Sequence, residues 1–150
     1  MEDLTEYPAE CWVADQSVVL DWYDGPRAGL CRLRTPRIEF VFDLLAERAT
    51  PDGLDDRLFS IGIVPNGTVT RLTEELTFAG APTSPVWVPM WQGTPEQLRD
   101  ANRAVVEAKS SAKEPRFVVS SSDMTSFRGL IKVDEFSEIL DWNIFLKPSQ

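Results

Sequence analysis

The stretch 18–33, with the sequence VVLDWYDGPRAGLCRL, has the pattern of two β-strands joined by a polar loop. Pro26 lacks the N–H group that would close a tight turn at Asp24–Gly25, which favours a six-residue loop over 24–29 that carries Arg27 outward. This loop predicts facing pairs that agree in character, namely Tyr23 with Leu30, Trp22 with Cys31, Asp21 with Arg32, and Leu20 with Leu33. Because side chains alternate along a strand, one apolar row is expected in the core, consisting of Val18, Leu20, Trp22, Cys31 and Leu33.

Two further strands are expected to extend this hairpin into a β-meander. The segment 38–45 alternates, with Ile38, Phe40, Phe42 and Leu44 on one side, and 57–64 follows a loop rich in Pro, Gly and Asp. Farther along the chain, the apolar segments 116–121 and 126–133 predict a second hairpin.

The clearest helix start in the chain is Thr94-Pro95-Glu96-Gln97, where Thr94 is a suitable N-cap and Gln97 completes a capping box. It predicts a helix over about residues 95–110. In the segment 68–79 the threonines favour a strand, but Val69, Leu72, Leu76 and Ala79 recur at helical spacing before Gly80, and we predict a helix. A short helix is also predicted after Asp134.

Runs of strands on both sides of one strong helix predict the fold class. We expect an α+β fold whose mainly antiparallel sheet begins with a β-meander and is packed by one clear helix and one or two shorter helices. With 150 residues, 43% of them hydrophobic, the chain is expected to form a single globular domain over residues 1–150.

Charge and composition exclude several classes of protein. The net charge of −9 disfavours binding to nucleic acid, and 15 of the 24 acidic residues but only 7 of the 15 basic ones lie in the first 75 positions. No segment has the roughly 18 consecutive apolar residues of a membrane span, so no membrane partner is expected. With only Cys11 and Cys31 and no recognisable export signal, we expect a cytoplasmic protein with reduced thiols.

The residues that usually carry catalysis are scarce. The chain has no histidine, which removes the most common general base and the most common metal ligand. Neither a zinc motif nor a glycine-rich phosphate loop is present, and we expect no cofactor and no metal. A Ser-x-x-Lys spacing at Ser110–Lys113 lacks its companion motifs and is typical of a solvated helix end. No catalytic residue can be named, and a non-enzymatic role is favoured.

Candidate binding residues lie around the first hairpin and in the extended segment 85–91. Trp87 and Trp91 are four residues apart in an extended chain and should point the same way, opposite Val86, Val88 and Met90. One of these two rows is expected in the core. If the tryptophan row is exposed instead, aromatic and arginine side chains beside acidic loops would form a recognition surface. The candidate residues are Asp21, Tyr23, Asp24, Arg27, Trp87 and Trp91.

Three functional hypotheses follow from these features. The first is a small acidic protein that binds a protein partner, of which a basic toxin or nuclease is one concrete case. The second, from a different class, is an enzyme or small-ligand-binding protein with a carboxylate-lined cleft between the sheet and the helix after Thr94, where Asp21, Asp24, Asp123 or Arg128 would reach a polar substrate. The third is a structural subunit that buries its edge segment in a homodimer.

Overall fold

The computed structural model describes residues 13–23, 26–35, 37–49, 55–80, 82, 84–120 and 131–132. The elements of these residues are, in chain order, β1 (Val13–Trp22), β2 (Pro26–Thr35), β3 (Glu39–Ala49), β4 (Asp55–Val64), α1 (Thr68–Glu75), a 3-10 turn (Thr77–Ala79), β5 (Val86–Trp87), α2 (Pro95–Ser110), β6 (Lys113–Ser120) and β7 (Ile131–Lys132). The strands form one sheet in the order β5-β1-β2-β3-β4-β6-β7. The described strand pairs are antiparallel, except that β5 pairs with β1 in parallel. The predicted α+β class and the leading β-meander are therefore confirmed.

The sheet is apolar on both faces, which provides two core layers. One face packs against α1 and α2, and the core layer between them consists of Val18, Leu30, Val41, Val64, Val69, Leu72, Leu76, Trp87, Ala101 and Ala108. The opposite face contains Cys31, Leu33, Ile38, Phe40, Phe42, Phe59, Ile61, Phe117 and Val119. On this second face the rings of Phe42 and Phe59 meet edge to face, with centroids 5.9 Å apart.

The predicted register of the first hairpin is wrong. Trp22 pairs with Pro26, so the connection is short, and Val18 faces Leu30 while Ser17 faces Cys31. Pro26 is the first residue of β2, a position in which its missing N–H group is tolerated. The register differs from the predicted one by an odd number of residues, which places Val18 and Leu30 on the helix-covered face and Cys31 and Leu33 on the other. Because both faces are buried, apolar alternation could not distinguish the two registers.

Two consequences of the predicted register are also wrong. Asp21 does not face Arg32, whose Nε lies 3.0 Å from Asp15 Oδ2 and whose Nη1 donates to Thr70 Oγ1 of α1 at 2.7 Å. Trp22 is not a core residue, because it ends β1 and 51% of it is exposed.

Both helix predictions within the described residues are confirmed. Thr94 N donates to Gln97 Oε1 at 2.9 Å and Gln97 N donates to Thr94 Oγ1 at 3.1 Å, which is the predicted capping box of α2. The segment 68–79 forms α1 followed by the 3-10 turn. The helix predicted after Asp134 lies outside the described residues. Neither described helix has the length and apolar character needed to cross a bilayer.

The start of α1 is capped from a distant part of the chain. Its N-cap residue is Gly67, with φ of 96°, and it supplies no side-chain cap. Instead the buried carboxylate of Glu39, at the start of β3, accepts from Gly67 N at 2.5 Å and from Val69 N at 2.7 Å. A negative charge at a helix N-terminus is stabilising, so Glu39 fastens α1 to the sheet.

Candidate functional site

A cleft of about 550 Å³ lies between the sheet and α2. Leu20, Asp21, Arg27, Ala28, Asp43 and Leu44 line it from β1, β2 and β3, and Leu98, Asn102, Val105 and Lys109 line it from α2. Trp91, from the segment between β5 and α2, completes the lining. We call this space the cleft. It is lined by two carboxylates, two cations, one tryptophan, one asparagine and five aliphatic side chains.

The two carboxylates of the cleft lie in one row across three strands. Ala28 of β2 pairs with Asp21 of β1 on one side and with Asp43 of β3 on the other. Neighbouring strands are about 4.8 Å apart, which places the Cα atoms of Asp21 and Asp43 roughly 10 Å apart. Because the residue between them is alanine, its small side chain leaves the space between the two carboxylates open.

The two ion pairs of the cleft differ in closeness. Lys109 Nζ lies 2.7 Å from Asp43 Oδ1, whereas Arg27 Nε lies 3.9 Å from Asp21 Oδ2. Arg27 Nε is buried and finds no hydrogen-bond acceptor within the described part of the chain. The side chain of Asp21 is 58% exposed. Asp21 is therefore the less firmly engaged carboxylate, and such an exposed ion pair contributes little to stability.

Trp91 reaches the cleft because the chain before α2 is held against the edge of the sheet. β5 pairs in parallel with β1, with Trp87 opposite Val18, and Ser17 N donates to the carbonyl of Pro85 at 2.6 Å. Trp87 and Pro89 are buried, while the alternate residues Val86, Val88 and Met90 are exposed. Trp91 lies three residues before Thr94, the N-cap of α2, and is 42% exposed.

Two further aromatic side chains, which do not line the cleft, are exposed at and just after the end of β1. Trp22 and Tyr23 follow Asp21 directly, and they are 51% and 71% exposed. Their backbone is nevertheless fixed, because the buried Arg57 donates to the carbonyl of Tyr23 at 2.6 Å and to that of Pro26 at 3.2 Å. We refer to Trp22, Tyr23 and Trp91 as the aromatic rim.

The structure brings together some of the residues predicted from sequence and separates others. Asp21, Arg27 and Trp91 line the cleft, and Tyr23 lies next to it in the chain. Trp87, a candidate binding residue only if the tryptophan row were exposed, packs in the helix-covered core with 7% exposure. Asp24, Asp123 and Arg128 lie outside the described residues.

Sequence reasoning missed Asp43 and Lys109. Asp43 belonged to a predicted strand, but its place beside Asp21 depends on two inter-strand registers. Lys109 is in the last turn of α2, where a cation is favourable in any helix, and nothing in the sequence links it to Asp43.

Cys31 belongs to the core and not to the cleft. It is a free, buried thiol, and burial raises its pKa to about 11, although a hydrogen bond with Ser17 acts in the opposite direction. A thiol with a raised pKa is a poor nucleophile at neutral pH. The described residues contain no group of three or more acidic or cysteine side chains arranged to hold a metal ion.

Comparison of the chain with models of protein families, with curated protein sequences and with solved structures finds no match. Function must therefore be inferred from the residues of the cleft and its rim.

Proposed function

We propose that this protein is a non-enzymatic binding module that holds a basic protein partner on the aromatic rim. The observation that carries this proposal is the exposure of three aromatic side chains, of which Trp91 lines the charged cleft while Trp22 and Tyr23 directly follow the cleft residue Asp21 in the chain. Tryptophan, tyrosine and arginine are the residues most enriched at the energetic centres of protein interfaces.

The backbone that carries Tyr23 is already fixed in the unbound protein. Arg57 holds the carbonyls of Tyr23 and Pro26, and its own Nε lies 3.2 Å from Glu47 Oε2. A fixed backbone reduces the conformational entropy that is lost on association. More of the free energy gained by burying the exposed rings would then appear as affinity.

The charge of the chain selects the kind of partner. A net charge of −9 attracts cationic proteins and accelerates their encounter, whereas it repels nucleic acid. A cationic nuclease or toxin, whose active site an acidic protein would cover, has the required character. We place the interaction in the cytoplasm, where the Cys31 thiol would stay reduced.

The test uses the immobilised chain and basic proteins of the producing organism, enriched by cation exchange. We expect one partner whose association rate falls about tenfold or more between about 50 and 500 mM salt. Replacing Trp22 and Tyr23 together with alanine should weaken its binding by about 30-fold or more, the effect of losing an interface centre. Val106→Ala is the matched control, since Val106 of α2 is 57% exposed but does not line the cleft. Equal binding by the double variant and the wild type would refute the proposal.

The dimensions and polarity of the cleft favour a second candidate, a small-ligand-binding protein or enzyme. Its volume of about 550 Å³ is in the range of small-molecule sites, which are about 300–1,000 Å³. A small polar molecule that raises the melting temperature of the wild type but not of Asp21→Asn would favour this candidate. The homodimer hypothesis is tested by the solution mass in the same preparations.

A further inference from the structure

We infer that the cleft receives a cationic side chain, an arginine of the partner, with its guanidinium between Asp21 and Asp43 and its stem along Trp91. This inference rests on the proposed function in that the arginine belongs to a bound protein. The cleft itself can be tested without that protein.

The spacing of the carboxylates suits a planar cation with several donors. Asp21 and Asp43 flank Ala28 in one row, and their Cα separation of roughly 10 Å leaves room for a group that donates to both. A guanidinium has five N–H donors in a rigid fork, so it can pair with two carboxylates at once.

The remaining lining suits the rest of an arginine side chain. Leu20, Leu98 and Val105 provide apolar surface for its methylene groups. Trp91 adds an indole ring, the aromatic system that attracts cations most strongly. Arg27 and Lys109 also line the cleft, so its charges balance, and the preference for a cation rests on the exposed Asp21 carboxylate and on the Trp91 ring.

Arg27 and Lys109, the two cations of the cleft, determine which carboxylate is accessible to the guest arginine. Arg27 Nε is 3.9 Å from Asp21 Oδ2, beyond hydrogen-bond distance, so a guest can approach the Asp21 carboxylate without breaking a close ion pair. Lys109 holds Asp43 at 2.7 Å and competes with the guest for it. Lys109 should therefore weaken binding of a cation, whereas it would strengthen binding of an anion.

The test is a titration followed by NMR and tryptophan fluorescence, with Nα-acetyl-L-arginine amide as the probe. The corresponding norleucine and glutamate amides are controls for the stem and for charge. We expect a dissociation constant on the order of 1 mM for the arginine probe and no saturable binding of the other two. The shifted signals should belong to Asp21, Asp43 and Trp91.

Three variants distinguish this site from general charge attraction. Asp21→Asn should weaken binding of the arginine probe about fivefold or more, because it removes the carboxylate that is open to the guest. Glu74→Gln removes one charge from an exposed position on α1, outside the cleft, and should leave binding unchanged. Lys109→Met keeps the length of the stem and should tighten binding about two- to fivefold.

The possible outcomes distinguish arginine binding in the cleft from the proposed protein-binding function. Saturable binding of the glutamate probe, or weaker arginine binding by Lys109→Met, would overturn the inference. So would a partner protein that requires the aromatic rim but binds Asp21→Asn as well as the wild type, and in that case the module function would stand. If the chain binds the arginine probe in the cleft but binds no protein partner, the cleft is a cation site and the proposed protein-binding function is refuted.

Discussion

The substitution Glu39→Gln should destabilise the protein strongly, although it changes one atom in a side chain of nearly the same shape. Glu39 is only 4% exposed, and its two carboxylate oxygens accept from the backbone N–H groups of Gly67 and Val69. Glutamine retains one acceptor oxygen, but its amide group turns a donor toward the second N–H group. One buried donor then loses its partner, and the negative charge at the start of α1 disappears.

The magnitude follows from these two losses. A hydrogen bond to a charged group contributes about 1.5–3 kcal/mol, and a charge at a helix N-terminus adds about 0.3–1 kcal/mol. We therefore expect the free energy of unfolding to fall by about 2–4 kcal/mol. In urea, with a slope of about 2 kcal/mol/M, the midpoint would fall by about 1–2 M.

The assay is urea unfolding followed by tryptophan fluorescence, with Glu74→Gln as the matched control. Glu74 is an exposed residue of α1, and its substitution should change the free energy of unfolding by less than about 0.5 kcal/mol. If Glu39→Gln lost no more stability than Glu74→Gln, the carboxylate could not be what fastens α1 to the sheet.

Three further substitutions test other contacts. Gly29→Ala should cost about 3 kcal/mol or more, measured by the same unfolding assay, because an added Cβ would overlap the Val18 carbonyl oxygen and lie 2.9 Å from the Phe42 ring; a cost below about 1 kcal/mol would contradict this packing. Thr94→Ala should lower the melting temperature, at a cost of about 1 kcal/mol, through loss of the capping box, and an unchanged melting temperature would count against that cap. Burial raises the pKa of Cys31 from 9.0 to about 11, so the folded state holds the thiol proton more tightly than the unfolded state does. The wild type should then lose roughly 2 kcal/mol of unfolding free energy between pH 9 and pH 11 that Cys31→Ala does not lose, and identical pH profiles would refute this.

Local signals in the sequence predicted local structure well. The capping box at Thr94 and Gln97 needs only four consecutive residues, and it correctly located the start of α2. The helical spacing of Val69, Leu72 and Leu76 correctly outweighed the β preference of the threonines in α1, because those apolar residues face the sheet. These features depend on residues close together in the chain.

The features that the sequence did not predict depend on distant contacts. The first hairpin has apolar residues on both faces, so a register that buried Trp22 looked as favourable as the actual one. The cap that Glu39 provides to α1, and the proximity of Lys109 to Asp43, each join residues far apart in the chain. Asp21, Arg27 and Trp91 could therefore be named from their residue types, whereas Asp43 required the registers of β2 and β3, and Lys109 required the packing of α2 on the sheet.

The short strand β5, placed between Pro85 and Pro89, has a consequence for how the protein behaves at high concentration. A strand at the border of a sheet can recruit the same strand of another molecule, which is a common route to aggregation and fibre growth. Here the border strand is only two residues long, and neither flanking proline has an N–H group to offer a newcomer. An incoming strand would find too few N–H donors to extend the sheet. This edge is therefore protected from strand addition even though Val86, Val88 and Met90 are exposed.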